Sequence, residues 1–407
     1  MHRFKRLFTR FKKNPNGETV HIDEDLKKPE NAGLQVLSRR FRTAQILLFL
    51  ALFLFVTVFA LTNSDRITYQ NLYYFIKDFR VAVDHTEAEG TAGFAYATET
   101  DPTFALFKGG VAVAGRERLQ ILTATGAIST TEVLQLADPG LSSSGNLLLV
   151  YAKGEHKCFL YNSFTKLHSE VLDGKIRTAM LSESGAFSVV TDDGSYASVV
   201  SVYNRNFRKI NRYSLNSSVI SAPLSDDGST IAILSYVQSE GVFEARVRLA
   251  KTGTDTVYCD YTVADAFPLG IAFTNDRCAL MLTDRGIHRI TESGGTEIEA
   301  FETEISLFAS DASGFALLFS DGSLKCYGKD GESLFTRSVQ EPIRALTKFG
   351  DIVFLKTDRS ILRYGKDVET PDAVACVGYD GVMLPYSVTS VLLSSNGEAR
   401  YFRFLTD

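Results

Sequence analysis

Two patterns of apolar residues divide the chain. Residues 44–64 form an apolar run that contains no charged residue. From about residue 100 onward, apolar residues come instead in short runs, each closed by Gly, Asp, Asn or Ser. The first pattern is typical of a membrane-spanning helix. The second is typical of a protein built from β-strands and tight turns.

The short runs recur with a period of about 40 residues. The segment Leu141-Ser-Ser-Ser-Gly145 returns as Leu181-Ser-Glu-Ser-Gly185 and as Leu224-Ser-Asp-Asp-Gly228, each followed by an apolar strand. A second class of turn, such as Thr191-Asp-Asp-Gly194, lies between these segments, and a third class carries a glycine such as Gly126. Three turns per repeat predict four antiparallel strands, which form one blade of a β-propeller.

The repeats predict the number of blades. Seven blades are predicted at residues 103–138, 139–177, 178–218, 219–265, 266–303, 304–341 and 342–375. Residues 376–407 supply about three more strands, and a strand near Phe94-Ala-Tyr-Ala97 or Val81-Ala-Val83 would complete an eighth blade and close the ring. We therefore predict an all-β fold with a single propeller of eight blades, seven being the alternative, preceded by one transmembrane helix.

The apolar run is long enough to cross a bilayer, because about 20 helical residues span the ~30 Å hydrocarbon layer. Arg39, Arg40 and Arg42 precede the run and, by the positive-inside rule, keep its N-terminal flank in the cytoplasm. Four regions are predicted: a basic cytoplasmic tail (1–43), the transmembrane helix (44–64), a juxtamembrane amphipathic segment (65–80) and a propeller ectodomain (81–407).

Residues 2–13 combine apolar and basic side chains at helical spacing. The apolar face contains Phe4, Leu7, Phe8 and Phe11, and the basic positions are Arg3, Lys5, Arg6, Arg10, Lys12 and Lys13. The pattern fits a short helix on the anionic inner leaflet, and it fits a disordered basic tail equally well. The lipid bilayer is therefore the first predicted partner.

Composition narrows the chemistry. Residues 1–43 hold 11 Lys and Arg against 5 Asp and Glu, whereas residues 44–407 hold 32 against 43, and an acidic body argues against nucleic-acid binding. The five cysteines are widely spaced without a CxxC pair, which favours free buried thiols. A single long-range disulfide is the alternative. The Asp-Asp-Gly segments at 192–194 and 226–228 fit turns better than calcium loops. We predict no cofactor, metal site or catalytic residue.

The Leu-Ser-x-x-Gly repeats resemble the blades of WD40-like and TolB-like propellers, although the Trp-Asp dipeptide of WD40 repeats is missing. The wider plan adds a basic tail, one span and the segment Asn71-Leu-Tyr-Tyr-Phe-Ile-Lys-Asp78. This plan is similar to that of single-pass, membrane-anchored propeller proteins of Gram-positive bacterial envelopes. The resemblance implies a fold and an extracytoplasmic location, and it brings no residues of known function.

These patterns favour a non-catalytic protein that presents a rigid face to an envelope protein or to wall material, by analogy with the use of the fold elsewhere. The alternative is a propeller that binds or hydrolyses a small molecule or glycan with carboxylates at its central channel. Clustered carboxyls of raised pKa would favour the alternative, and an exposed apolar patch on one ring face would favour the platform. A receptor read by a partner kinase is a third hypothesis.

Overall fold

A computed structural model describes residues 12–13, 19–20, 41, 43–55, 57, 93–97, 101–163 and 165–404. The chain divides into two compact units, Met1–Arg80 and Val81–Asp407.

The first unit contains a two-stranded sheet and helical residues. Strand β1 (Lys12–Lys13) pairs antiparallel with β2 (Thr19–Val20), and the sequence between them holds the Pro and Gly that turns favour. Residues 43–55 are helical, and the large apolar side chains among them are exposed. Among the residues described, no helix has both the length and the apolar character that a membrane crossing requires. Of the predicted span of residues 44–64, the structure describes residues 44–55 and 57, so the membrane-spanning helix stays a prediction.

The second unit contains eight four-stranded antiparallel sheets, which are the blades of a propeller. Blade 1 contains β4 (Thr103–Phe107), β5 (Gly110–Ala114), β6 (Arg118–Leu122) and β7 (Ile128–Val133). Blade 2 contains β8 (Pro139–Ser143), β9 (Leu148–Ala152), β10 (Lys157–Tyr161) and β11 (Lys166–Val171). Blade 3 contains β12 (Ile176–Leu181), β13 (Phe187–Thr191), β14 (Ser198–Tyr203) and β15 (Lys209–Leu215). Blade 4 contains β16 (Ser218–Ser221), β17 (Thr230–Ser239), β18 (Val242–Lys251) and β19 (Val257–Ala264).

The remaining blades continue the order. Blade 5 contains β20 (Pro268–Asn275), β21 (Cys278–Thr283), β22 (Gly286–Thr291) and β23 (Gly294–Ala300). Blade 6 contains β24 (Ile305–Asp311), β25 (Gly314–Phe319), β26 (Ser323–Tyr327) and β27 (Ser333–Ser338). Blade 7 contains β28 (Ala345–Phe349), β29 (Ile352–Lys356), β30 (Ser360–Gly365) and β31 (Val368–Ala375). Blade 8 contains β32 (Met383–Ser387), β33 (Ser390–Ser395), β34 (Glu398–Arg403) and β3 (Phe94–Ala95).

The predicted eight blades are confirmed, and the seven-blade alternative is excluded. The first strands of neighbouring blades contact one another around the centre, and β32 of blade 8 contacts β4 of blade 1, so the ring is closed. The closing strand is the first of the two predicted candidates: Phe94 pairs with Ala399 and Ala95 pairs with Glu398. The N-terminal strand of the ring is thus the outermost strand of the C-terminal blade.

The turns alternate between the two ends of the ring, because consecutive strands are antiparallel. One end carries the blade-to-blade connections and the turns between second and third strands; we name it the connection face. The opposite face carries the other two kinds of turn. The three turn classes found in the sequence are the three turns within a blade. The first class joins the first and second strands, the second class joins the second and third, and the third class joins the third and fourth.

The core lies between blades. Each of eight buried apolar clusters is shared by two neighbouring blades, as when Leu234 of blade 4 packs with Met281 of blade 5. The second strands are buried on both faces for this reason, and apolar residues fill most of their positions instead of alternating with polar ones.

Candidate functional site: the raised hairpin of blade 4

Blade 4 departs from the eightfold repetition. Its second and third strands, β17 and β18, have ten residues each, whereas those of the other blades have five or six. Their pairing is continuous from Thr230 and Lys251 to Ser239 and Val242. The first strand of the blade begins opposite Tyr236, so three residues of β17 extend beyond it, about 10 Å on the connection face. We call this extension the raised hairpin.

A tight turn closes the raised hairpin. Its two central residues, Glu240 and Gly241, have φ angles of 52° and 86°. Positive φ at both positions matches the right-handed twist of paired strands, so the turn continues the ladder without splaying it. Val242 follows the turn and is 49% exposed. The strand pairing therefore continues to the turn, and the tip presents an apolar side chain to solvent.

The side of the raised hairpin toward blade 5 carries three half-buried aromatic residues, Tyr236, Phe243 and Phe267. Their ring centroids lie 5.1 to 5.8 Å apart, in tilted or edge-on contacts that aromatic pairs prefer. Phe267 belongs to the connection into blade 5, and its N–H donates to Asp284 Oδ1 over 2.7 Å. We call these three residues the aromatic wall. The wall is thus tied to both blades.

The side toward blade 3 borders a cavity of about 420 Å³. Arg246 and Arg248 of β18 line it. Arg246 Nε donates to Glu244 Oε1 over 2.6 Å, and Arg248 Nη2 donates to Asp260 Oδ2 over 2.6 Å. Because both guanidinium groups are already paired, this cavity is charge-balanced.

A second cavity, of about 530 Å³, lies where blades 8 and 1 meet. Its lining includes the carboxylates of Asp101 and Asp380. Asp380 Oδ1 accepts a hydrogen bond over 3.3 Å from the ammonium of Lys356, whose side chain is 4% exposed. This cavity has the size of a small-molecule site.

Among the described residues, three carboxyl groups have a clearly displaced pKa, and in each the displacement is downward. Hydrogen bonds from Arg344 lower the pKa of Asp358, and a hydrogen bond from Ser323 lowers that of Asp321. Burial opposes the same effect at Asp227, yet its hydrogen bonds from the turn lower its pKa. Such carboxylates hold turns and connections in place. They are unsuited to act as general acids near neutral pH.

The cysteines are all free and buried. Four lie within strands as the sequence predicts, and Cys376 lies instead in the connection after β31. Burial raises the pKa of Cys158 and of Cys326 to about 12, so these thiols stay protonated and unreactive. Among the described residues, no group of three or more His, Cys, Asp and Glu side chains is arranged to hold a metal ion.

The membrane-related residues singled out in the sequence fall mostly outside the described part of the chain. Lys12 and Lys13 lie in β1, paired with Thr19–Val20. The other membrane-surface residues and the topology residues lie outside the described residues, namely Arg3, Phe4, Lys5, Arg6, Leu7, Phe8, Arg10, Phe11, Arg39, Arg40 and Arg42. Sequence reasoning missed the raised hairpin, although one signal was present: residues 219–265 form the longest predicted blade.

The sequence of residues 84–368 matches the model of a protein family described as Family of unknown function (DUF5711). The chain belongs to this family. No curated protein sequence matches the DUF5711 chain.

Solved structures share the fold of the DUF5711 propeller. BamB from Moraxella catarrhalis is 13% identical, with a TM-score of 0.52 over 77% of this chain and 98% of that chain. Sqt1 of Saccharomyces cerevisiae is 12% identical, with a TM-score of 0.57 over 78% and 99%. The WD40 domain of SCAP from fission yeast is 10% identical, with a TM-score of 0.54 over 76% and 97%. At these identities the likeness establishes the propeller fold of the DUF5711 chain and nothing about its ligands.

Proposed function

We propose that this DUF5711 protein is a non-catalytic interaction platform that binds another protein through the connection face of its propeller. One observation carries the proposal: the raised hairpin of blade 4 interrupts an otherwise regular ring. In repeat proteins, insertions within repeats lie on one face, and that face is often the binding face. The exposed Val242 and the aromatic wall give this insertion the kind of rigid apolar anchor that protein interfaces use.

The proposal includes a location. Residues 44–64 hold the propeller at the outer side of the cell membrane, with the basic tail in the cytoplasm, as in the Gram-positive envelope proteins that the chain resembles. The uncharged apolar sequence, the helical conformation of residues 43–55 and the preceding Arg39, Arg40 and Arg42 support this topology. The partner is then an envelope protein or wall material.

Labelling of added cysteines tests the topology, because the five native cysteines are buried in the folded chain. Asp255→Cys places a thiol at an exposed turn of the propeller, and His2→Cys places one in the tail. We expect a membrane-impermeant maleimide to label the first variant on intact cells and the second only after permeabilisation. The reverse pattern would refute the topology.

Site-specific crosslinking tests the platform. A photo-crosslinking amino acid at Val242 occupies the tip of the raised hairpin, and one at Asp255 occupies the opposite face of the same blade. We expect a reproducible protein adduct from Val242 in intact cells and none from Asp255. Equal adduct patterns from the two positions would exclude the raised hairpin as a docking element.

The cavity between blades 8 and 1 supports a second candidate, which is binding of a small molecule or glycan. Its volume and its two carboxylates, Asp101 and Asp380, are the supporting observations. A panel of sugars and wall fragments tested by thermal shift would show stabilisation in the native chain and none in Asp101→Asn/Asp380→Asn. If no compound in the panel stabilises the native chain, this candidate fails.

A further inference from the structure

The aromatic wall borders a strongly acidic part of the connection face. Alternate residues of a strand share a side, so Tyr236 lies on the same side as Leu234, which packs against blade 5. The wall therefore rises on the blade 5 side of the raised hairpin. The loops of blades 5 and 6 on the connection face lie next to the aromatic wall.

These loops carry six exposed carboxylates and a single guanidinium, that of Arg285. The six, which we name the acidic sector, are Glu240, Asp265, Asp284, Glu302, Glu304 and Asp321. Among the residues that the structure describes, none of the six forms an ion pair. Asp284 accepts the Phe267 N–H and Asp321 accepts the Ser323 N–H, so neutral donors hold both carboxylates, and Lys325 attracts Asp321 without forming an ion pair with it.

The corresponding loops of blades 1 to 3 are arranged differently. They also hold six carboxylates, and four of these form ion pairs. The pairs are Glu117 with Arg118, Asp138 with Lys153, Asp192 with Arg177 and Asp193 with Arg212. The unpaired negative charge is thus concentrated on the side of the ring where the aromatic wall stands.

We propose that the partner docks a basic amphipathic protein segment against the aromatic wall and the acidic sector. This inference rests on the proposed platform function and adds the chemistry of the partner. Apolar side chains of such a segment pack on Phe243, and its Lys and Arg side chains meet the carboxylates, where aromatic faces add cation–π attraction. An acidic segment, or an anionic lipid surface, is repelled by the same charges.

Binding of defined peptides to the full chain tests this proposal. The probe is a synthetic amphipathic peptide of Lys, Phe and Leu, and its counterpart replaces each Lys with Glu. The test variant is Asp265→Asn/Glu302→Gln/Glu304→Gln. Its matched control is Asp255→Asn/Asp351→Asn/Asp367→Asn, which removes the same number of exposed charges from the opposite face.

We expect the Lys peptide to bind the native chain, the Glu peptide not to bind, and salt to weaken the complex. The test variant loses about tenfold in affinity, from roughly 0.5 kcal/mol for each of three charge pairs, while the control variant keeps native affinity. Phe243→Ser weakens binding with little change in salt dependence. Equal losses in the two triple variants, or equal binding of both peptides, would overturn the inference.

Two further outcomes are informative. Tighter binding of a peptide of residues 2–13 than of the Lys probe would assign the surface to the tail of this chain and overturn the assignment to another protein. An adduct from Val242 in cells that maps to an acidic segment would overturn this inference while leaving the platform proposal standing. Absence of that adduct, in contrast, would count against the platform itself.

Discussion

At the residue scale, Lys348 shows how a charge is kept inside the ring. Its side chain is 0% exposed. Its ammonium donates to Asp311 Oδ1 over 2.9 Å, to the carbonyl oxygen of Gly350 over 2.6 Å and to Ser313 Oγ. Asp311 in turn accepts the Gly350 N–H over 2.7 Å. These bonds join the first strands of blades 6 and 7, and every donor of the ammonium has a partner.

Asp311→Asn should destabilise the protein by about 3 kcal/mol, because it leaves the Lys348 ammonium buried without its counter-charge. Urea unfolding of the full chain, followed by far-UV circular dichroism, measures this loss. The double variant Asp311→Asn/Lys348→Met removes both charges and should recover part of the lost stability. A loss below about 1 kcal/mol in the single variant would show that water compensates the ammonium.

His288 is a second buried titratable residue, 1% exposed, in the third strand of blade 5. Its Nδ1 lies 3.4 Å from the hydroxyl of Tyr261, and its Nε2 has no hydrogen-bond partner among the described residues. Burial lowers the pKa of His288 below its ordinary value of 6.5. At neutral pH the folded chain therefore holds this imidazole in its neutral form.

The free energy of unfolding should fall as the pH drops below about 6.5. Below that pH, His288 is protonated in the unfolded chain but stays neutral in the folded chain, where its pKa is lower. Above that pH the residue contributes no pH dependence. Urea unfolding at several pH values should show a shallower acid slope for His288→Phe than for the native chain. Parallel slopes for the two chains would contradict the prediction.

At the scale of elements, a tyrosine at the end of a third strand links neighbouring blades. The hydroxyl of Tyr327 in blade 6 donates to Glu299 Oε2 of blade 5 over 2.9 Å. The hydroxyl of Tyr203 in blade 3 donates likewise to Glu170 Oε1 of blade 2 over 3.2 Å. Burial, and then the glutamate, raise the pKa of both tyrosines, so both hydroxyls remain donors at any physiological pH.

Tyr327→Phe should cost about 2 kcal/mol, the contribution of a hydrogen bond to a charged acceptor. Thermal unfolding of the full chain measures the loss. Tyr151→Phe is a matched control, because Tyr151 is buried as well but meets only Thr178 Oγ1 over 3.5 Å. That variant should lose less than about 0.5 kcal/mol. Similar losses of stability in both variants would mean that the hydrogen bond from the Tyr327 hydroxyl to Glu299 adds nothing to the packing between the blades.

The elements of the ring were largely predictable, because their signals are local. Gly and Asp at fixed offsets reverse the chain within four residues, and the apolar runs between them have strand length. The raised hairpin was less predictable. Extra residues in 219–265 fit a longer loop as well as longer strands, and only the pairing of Val237–Ser239 with Val242–Glu244 decides between them. The aromatic wall was not predictable either, because it includes Phe267 from the connection between blades 4 and 5, which packs on Phe243 only in the folded chain.

At the scale of the whole molecule, the two-residue strand β3 (Phe94–Ala95) closes the ring. Phe94 is 7% exposed and packs with residues of blades 8 and 1, including Tyr401 and Val111. Gly126 lies against it with φ of 80°, and a Cβ there would stand 2.2 Å from Phe94 Cβ. The turn of blade 1 is thus shaped to receive the closing strand.

Phe94→Ala should loosen blade 8 specifically. We expect a loss of about 3 kcal/mol and faster amide hydrogen exchange in β34, since the closing strand has only two paired residues to hold it. Phe335→Ala is the control, because Phe335 is also 7% exposed on an outermost strand, but its blade is made of four consecutive strands. Unchanged exchange in β34 of Phe94→Ala would show that the ring closes without this anchor.

The amino-acid sequence by itself determined the strands, their turns and the eightfold repeat, because turn residues and apolar runs act over a few neighbouring positions. Tertiary structure decided which distant groups meet. Asp311 and Lys348 lie 37 residues apart, and the acidic sector gathers carboxylates from three blades. Such meetings depend on the packing of each blade against the next, which brings together side chains that no local pattern relates.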